Sequence, residues 1–358
     1  MLKRAKIHIF TVLASIVTLA AASCDRSVIF DYAGDCEVHH IVRFRYDMNL
    51  KWADAFASEV KSVHLYVFDS DGLFLQEYSD RGPALSTGDY FIELKNLPAG
   101  DYKFVAWCGL DNDTDDESFT VPQPVAGRTT IEELTCSLNT LGKSRSSLSS
   151  DKRLYFLYHG YLEDTLIDDN DGETFEHVIY LTKDTNHIRI ILQELSTDED
   201  MDPDDYEIFI ESANGVMAYD NSMLGTDVIT YQPWALDNDV VEIGKPDVSE
   251  TVYVKGVYAD LSLARLMNSE NRSLMLTILD SKHKGQVIAR VPLIQYALLS
   301  RRYYEEAYGH KMSDQEFLDR EDEYVFTFFL YGNRWVNTYI NIHSWRVVLH
   351  NYDVDSGM

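Results

Sequence analysis

Apolar and polar positions alternate with a period of two along most of this chain. In Ser62 to Phe68, Val63, Leu65 and Val67 fall on one face, while His64, Tyr66 and Phe68 fall on the other. In His187 to Leu195, Ile188, Ile190 and Leu192 share a side. Runs rich in Val, Ile, Tyr and Phe recur at Ile41 to Tyr46, Tyr102 to Trp107, Tyr206 to Glu211, Thr251 to Tyr258, Leu274 to Leu279, Tyr324 to Tyr331 and Thr338 to Leu349. This pattern predicts half-buried antiparallel strands. Between them stand Asp71-Gly72, Pro98-Ala99-Gly100, Asp171-Gly172 and Asn214-Gly215, turn sequences too closely spaced to leave room for crossover helices. A parallel α/β architecture is therefore excluded.

Short helices interrupt the strands. Thr130 with Glu133 and Ser313 with Glu316 are capping boxes, and Leu293 to Tyr308 sets Tyr296, Ala297 and Ser300 at helical spacing. From Asn139 to Asp151 the serines 144, 146, 147, 149 and 150 break the core pattern, which reads as a mobile loop or linker. Leu154 to Tyr158 then reads as a strand and Glu163 to Glu173 as an acidic break, placing a boundary near Asp171. More than 300 residues is long for one sandwich. The expectation is an all-β protein of two tandem β-sandwich domains, residues 24–171 and 172–358, with short helical insertions.

Residues 1–23 differ in kind. Lys3, Arg4 and Lys6 precede an apolar run from Ile7 to Ala20, followed by Ala21, Ala22, Ser23 and Cys24. That order is a lipoprotein signal peptide, and the run is shorter than the ~20 residues of a spanning helix. Cys24 is the expected lipidation site. Each buried acyl CH₂ adds about 0.8 kcal/mol, so several chains on one residue make a lasting tether. The net charge is −28, and removing the three basic leader residues leaves 28 basic against 59 acidic side chains. Such a surface repels phosphate backbones and argues against nucleic acid as a partner.

Acylation of Cys24 leaves Cys36, Cys108 and Cys136, an odd number in an oxidising compartment, so one pair can bridge and the sequence does not say which. No nucleophile elbow, HExxH helix, P-loop or GxGxxG is present, and the chain reads as a non-enzyme without a cofactor. His39 and His40 are adjacent, and adjacent residues of a strand face opposite sides, which makes a poor metal site. The acidic run from Asp111 resembles the start of an EF-hand loop, but Asp116 and Pro122 stand where glycine and glutamate are required. Asp111 to Glu117 and Asp198 to Asp205 read as solvated loops. The aromatic stretches Tyr324 to Tyr331 and Trp335 to Trp345 read as core rather than as a sugar platform.

Several strings stand in a recognisable order. After Ala21 to Cys24 come Cys36, Ile41 to Asp47, Trp52-Ala53-Asp54-Ala55-Phe56 and Val63 to Asp69; late in the chain come Phe317 to Tyr324 and Ile340 to Trp345. Together these resemble the FimB-type fimbrial anchor lipoproteins of Bacteroidetes, the minor-fimbria anchor subunit family, over nearly the whole mature chain. The resemblance implies two transthyretin-like Greek-key sandwiches and lipid attachment to the outer membrane. It also implies a role in attaching and terminating a fimbria through strand contacts with shaft or accessory subunits. Shaft subunits of such fimbriae lose their first strand by cleavage after an arginine. Here Arg43 and Arg45 lie inside the first expected strand, where a folded sheet would hide them, and Arg26 adjoins the lipid, so the resemblance implies a chain that keeps that strand. Trp345 to Asn351, or the tail after it, is the expected subunit contact. The alternatives are an accessory or tip adhesin and a surface glycan-binding lipoprotein.

Overall fold

The computed structural model describes residues 38–110, 117–141, 148–167, 173–197, 199–225, 227–244, 251–269, 274–342 and 345–350. Its strands in chain order begin with β1 (His39–Arg45), β2 (Ser62–Asp69), β3 (Phe74–Arg81), β4 (Ile92–Leu94), β5 (Gly100–Cys108), β6 (Phe119–Thr120) and β7 (Thr135–Leu138). There follow β8 (Leu148–Ser150), β9 (Tyr158–Leu166), β10 (Thr174–Tyr180), β11 (Thr182–Lys183), β12 (Thr185–Glu194), β13 (Tyr206–Ser212), β14 (Val216–Ala218) and β15 (Ile229–Tyr231). The last are β16 (Ala235–Gly244), β17 (Thr251–Ala264), β18 (Met275–Asp280), β19 (Gln286–Pro292), β20 (Glu323–Leu330), β21 (Trp335–Ile342) and β22 (Trp345–His350). The helices are α1 (Phe56–Glu59), α2 (Leu293–Tyr308) and α3 (Asp314–Arg320). Among the described residues no helix is long and apolar enough to cross a membrane. The all-β expectation with helical insertions holds.

In the first sandwich, the sheet β11-β9-β5-β2-β3 lies against the small sheet β10-β1-β4. Val63, Leu65 and Val67 of β2 pack with Val42, Phe44, Ala106 and Ile179 on that side. Tyr66 and Phe68, on the opposite face of β2, are equally buried, among Phe74, Trp107 and Ile131 in a core that runs on into the second half. The alternation in β2 therefore marks two buried faces and not one wet face, because this sheet is a middle layer. In the second sandwich, β16-β17-β12-β20-β21-β22 faces β19-β18-β13-β15-β8. Ile188, Ile190, Leu261, Phe326 and Phe328 of the first sheet share a core with Ile208, Ile210, Leu276 and Ile278 of the second.

Several local readings shift. Among the described strands pairing is antiparallel except at β1–β10, β12–β20 and β8–β15, which are parallel and joined by long connections. Thr338 to Leu349 is a hairpin of β21 and β22 rather than one strand. Leu154 to Leu157 is irregular, with β9 starting at Tyr158 and continuing through Leu166 into the expected acidic break. The end of the serine run is not a linker: Ser149 and Ser150 pair with Thr230 and Tyr231, and Ser150 is buried. Strand pairing also departs from the division expected near Asp171, which lies outside the described residues. Beyond it, β10 and β11 return to pair with β1 and β9, and the chain passes between sandwiches at Asp184. Conversely, β7 and β8 pair with β14 and β15 of the second half. Local composition marks polar stretches, but backbone partners are chosen through space.

Candidate functional site: the joint between the sandwiches

Two of the strings singled out in sequence, Trp52 to Phe56 and Phe317 to Tyr324, meet where the sandwiches join. After β1 the chain folds back tightly. Asp54 Oδ1 accepts the N–H groups of Tyr46 (3.0 Å) and Phe56 (3.1 Å), and Asn49 Nδ2 donates to the carbonyls of Tyr46 and Ala53. This turn presents its carbonyls and the Trp52 ring to α3. That helix starts at Ser313, whose hydroxyl accepts the Glu316 N–H, and ends in Arg320, which is buried.

Arg320 is the central connector. Its Nε donates to Glu316 Oε1 (3.0 Å) and its Nη1 to the carbonyls of Asp47 (3.0 Å) and Asn49 (3.3 Å). Its guanidinium lies 3.5 Å from the centroid of Trp52. Trp52 Nε1 donates to the hydroxyl of Tyr304 on α2, and that hydroxyl donates to the Leu50 carbonyl (2.6 Å). Arg320 Nε and Nη1, Trp52 Nε1 and the Tyr304 hydroxyl each find an acceptor.

Two charged clusters flank this contact. Lys183 sits over the Phe156 ring (3.6 Å to its centroid), donates to Asp322 and lies 3.4 Å from Glu59 Oε2, which also accepts from the Tyr158 hydroxyl (2.9 Å). The crossover residue Asp184 is fully buried, and burial pushes its carboxyl up to about 7. It accepts from Asn221 Nδ2 (2.9 Å) and lies 3.6 Å from Arg265, which forks onto both oxygens of Asp319 (2.9 and 2.8 Å). Burial likewise raises Glu321 to about 8, although the N–H groups of Asp322 and Glu323 donate to it. A groove of about 410 Å³ opens above Lys183 and Arg320, bordered by Lys51, Ser58, Glu59 and Asp322. Lys183 engages Glu59 and Asp322 there and Arg320 engages Glu316, which is the chemistry of a structural joint.

Cys24, Cys36, Arg26 and the tail from Asn351 lie outside the described residues. Cys108 and Cys136 are free thiols buried in different cores, and burial holds both well above the usual thiol range. The open pairing thus has no Cys108–Cys136 bridge. Arg43 and Arg45 lie in β1 as expected, but their side chains are not hidden: Arg43 pairs with Glu176 (2.8 Å) and half-exposed Arg45 with Asp47 (2.9 Å). His39 and His40 do point apart, to Glu93 and to His177. The run from Asp111 to Asp116 is outside the described residues, as is Asp198. Asp202 caps a short 3₁₀ turn, and Asp205 accepts from Lys282. Among the described residues no three His, Cys, Asp or Glu side chains cluster as metal ligands. Tyr324, Phe326 and Phe328 are buried core. Sequence reasoning missed Lys183, Asp184, Arg265 and His177, none of which carries a local signal, since each partner is distant in sequence.

β-Sandwiches joined through a network of engaged charges define a β-sandwich protein whose joint is structural. The chain belongs to the family described as fimbrillin-A associated anchor proteins Mfa1 and Mfa2, whose profile matches residues 32–351. It is 24% identical over 213 residues to the minor fimbrium anchoring subunit Mfa2 of Porphyromonas gingivalis, a match spanning 59% of this chain and 61%, less than two thirds, of that relative. The crystal structure of a candidate adhesin from Bacteroides thetaiotaomicron is 32% identical, covering 88% of this chain and 99% of that one with a TM-score of 0.71. A candidate polysaccharide-binding protein of the same organism is 30% identical with the same coverage and TM-score. The fimbrial anchor protein Mfa2 of Porphyromonas gingivalis shares the fold at 18% identity, covering 88% and 99% with a TM-score of 0.62.

Proposed function

We propose that this chain anchors a fimbria: acyl chains on Cys24 moor it to the outer membrane, and strand contacts join it to a shaft or accessory subunit and end the polymer there. The observation that carries this reading is the integration of β1. It is the middle strand of its sheet, paired with β10 along its whole length and with β4 from His40 to Val42. Val42, Phe44 and Tyr46 are core residues. Losing β1 would open that core and leave β10 and β4 without a neighbour, so a subunit built this way keeps its first strand and offers no vacated groove. At the other end, among the described residues, β22 is the edge strand of its sheet beside β21, and an edge strand can accept another chain's strand.

Mass spectrometry of the mature protein tests the reading. The expected N-terminal peptide starts at an acylated Cys24, and one starting at Asp47 or later would overturn it. Cys24→Ala should move the protein from the membrane fraction to the soluble one. The relative named as an adhesin supports a second reading, an accessory or tip subunit, and immunogold labelling at the free end of the fibre instead of its base would favour it.

A further inference from the structure

Behind β1 lies a chain of hydrogen bonds that the anchor reading does not use. His40 Nε2 contacts the Ile167 carbonyl (2.9 Å), His40 Nδ1 contacts His177 Nε2 (3.0 Å), and His177 Nδ1 contacts Asp164 Oδ2 (2.6 Å). Both imidazoles are buried, His40 against the Phe175 ring and His177 against Phe104. The parallel register sets Val42 opposite His177, so the two histidines come from strands that the sequence separates widely.

A donor count decides what this chain holds. A carbonyl only accepts, so His40 Nε2 carries a hydrogen. Burial works against ionisation of Asp164, but the hydrogen bonds from His177 and the Thr165 N–H outweigh it and hold the carboxyl below its usual range. As a carboxylate it also only accepts, so His177 Nδ1 carries a hydrogen. Two neutral rings have no further proton to give, and His40 Nδ1 and His177 Nε2 would then meet as two lone pairs.

We propose that His40 and His177 hold one proton more than two neutral rings, shared between His40 Nδ1 and His177 Nε2, and that this closed chain latches β1 to β10 and to the end of β9. The excess charge is balanced by Asp164 on the adjoining β9, whose neighbour Glu163 accepts instead from the Tyr161 hydroxyl, while His39 and Glu93 bond to each other and Glu176 pairs with Arg43. This extends the reading of β1 as a retained strand without depending on the lipid.

Selective ¹⁵N-histidine labelling of the mature protein at pH 7 counts the ring protons. Three protonated nitrogens among the four of His40 and His177 are expected, falling to two in Asp164→Asn, and two in the unmodified protein would overturn the proposal. Limited digestion with an arginine-specific protease gives a second readout. Asp164→Asn should be cut after Arg43 or Arg45 at least tenfold faster than the parent, whereas Glu93→Gln should not. Equal rates for Asp164→Asn and the parent would equally defeat the latch.

Discussion

Arg320 of the second sandwich sits over Trp52 of the first, with its guanidinium carbon 3.5 Å from the indole centroid, while the same group donates to the Asp47 and Asn49 carbonyls. One planar cation thus serves both the aromatic face and the backbone of the opposing turn, which a lysine ammonium cannot do. Arg320 itself is buried although Trp52 keeps an exposed edge, so water competes only weakly for these donors.

Arg320→Ala should destabilise the protein by about 3 kcal/mol in urea unfolding, since it removes a buried charged donor and leaves two carbonyls without a partner. Arg320→Lys should recover less than half of that loss. A change near zero for Arg320→Ala would mean that the joint contributes little to folding.

Lys183 and Asp322 should be coupled by about 1 kcal/mol in a double-mutant cycle of Lys183→Met with Asp322→Asn. The lysine is buried, but the Asp322 side chain is 30% exposed, so solvent screens part of the attraction. Added salt should weaken the coupling only slightly if the pair is shielded as it is here.

Asp184 should make the protein less stable as pH rises. Its folded-state carboxyl titrates at about 7, above the ordinary value near 4, so its contribution is most favourable in acid and is lost as pH climbs towards 7. Asp184→Asn should flatten the pH dependence of urea unfolding by about 3 kcal/mol between pH 5 and pH 8. An unchanged slope would show that the Arg265 contact already cancels the desolvation.

Cys108 and Cys136 should resist alkylation by iodoacetamide in the native protein and react after unfolding, because each is buried as a thiol in its own core. Peptide mapping reads this directly. Labelling of either in the folded state would indicate local opening of that core.

Much of the fold is visible in the sequence for a physical reason: strand formation and turns depend on neighbours a few residues away. Val63, Leu65 and Val67 announce β2, Ile188 and Ile190 announce β12, and Ser313 with Glu316 announces α3. The same locality explains the errors. Alternation in Ser62 to Phe68 cannot say that both faces are covered, and serine at 149 and 150 cannot say that Thr230 and Tyr231 wait beside it.

The sequence by itself determined the all-β class, the helical insertions, the lipidation signal expected at Cys24 and the strings that mark the family. Only the tertiary structure decided that Trp52 meets Arg320, that Lys183 meets Asp322 and that His40 meets His177. It also decided that β7 and β8 pair with β14 and β15 while β10 and β11 return to β1 and β9. Periodicity encodes which side of a strand is apolar, whereas partner choice depends on the summed burial and hydrogen bonding of segments remote in the chain.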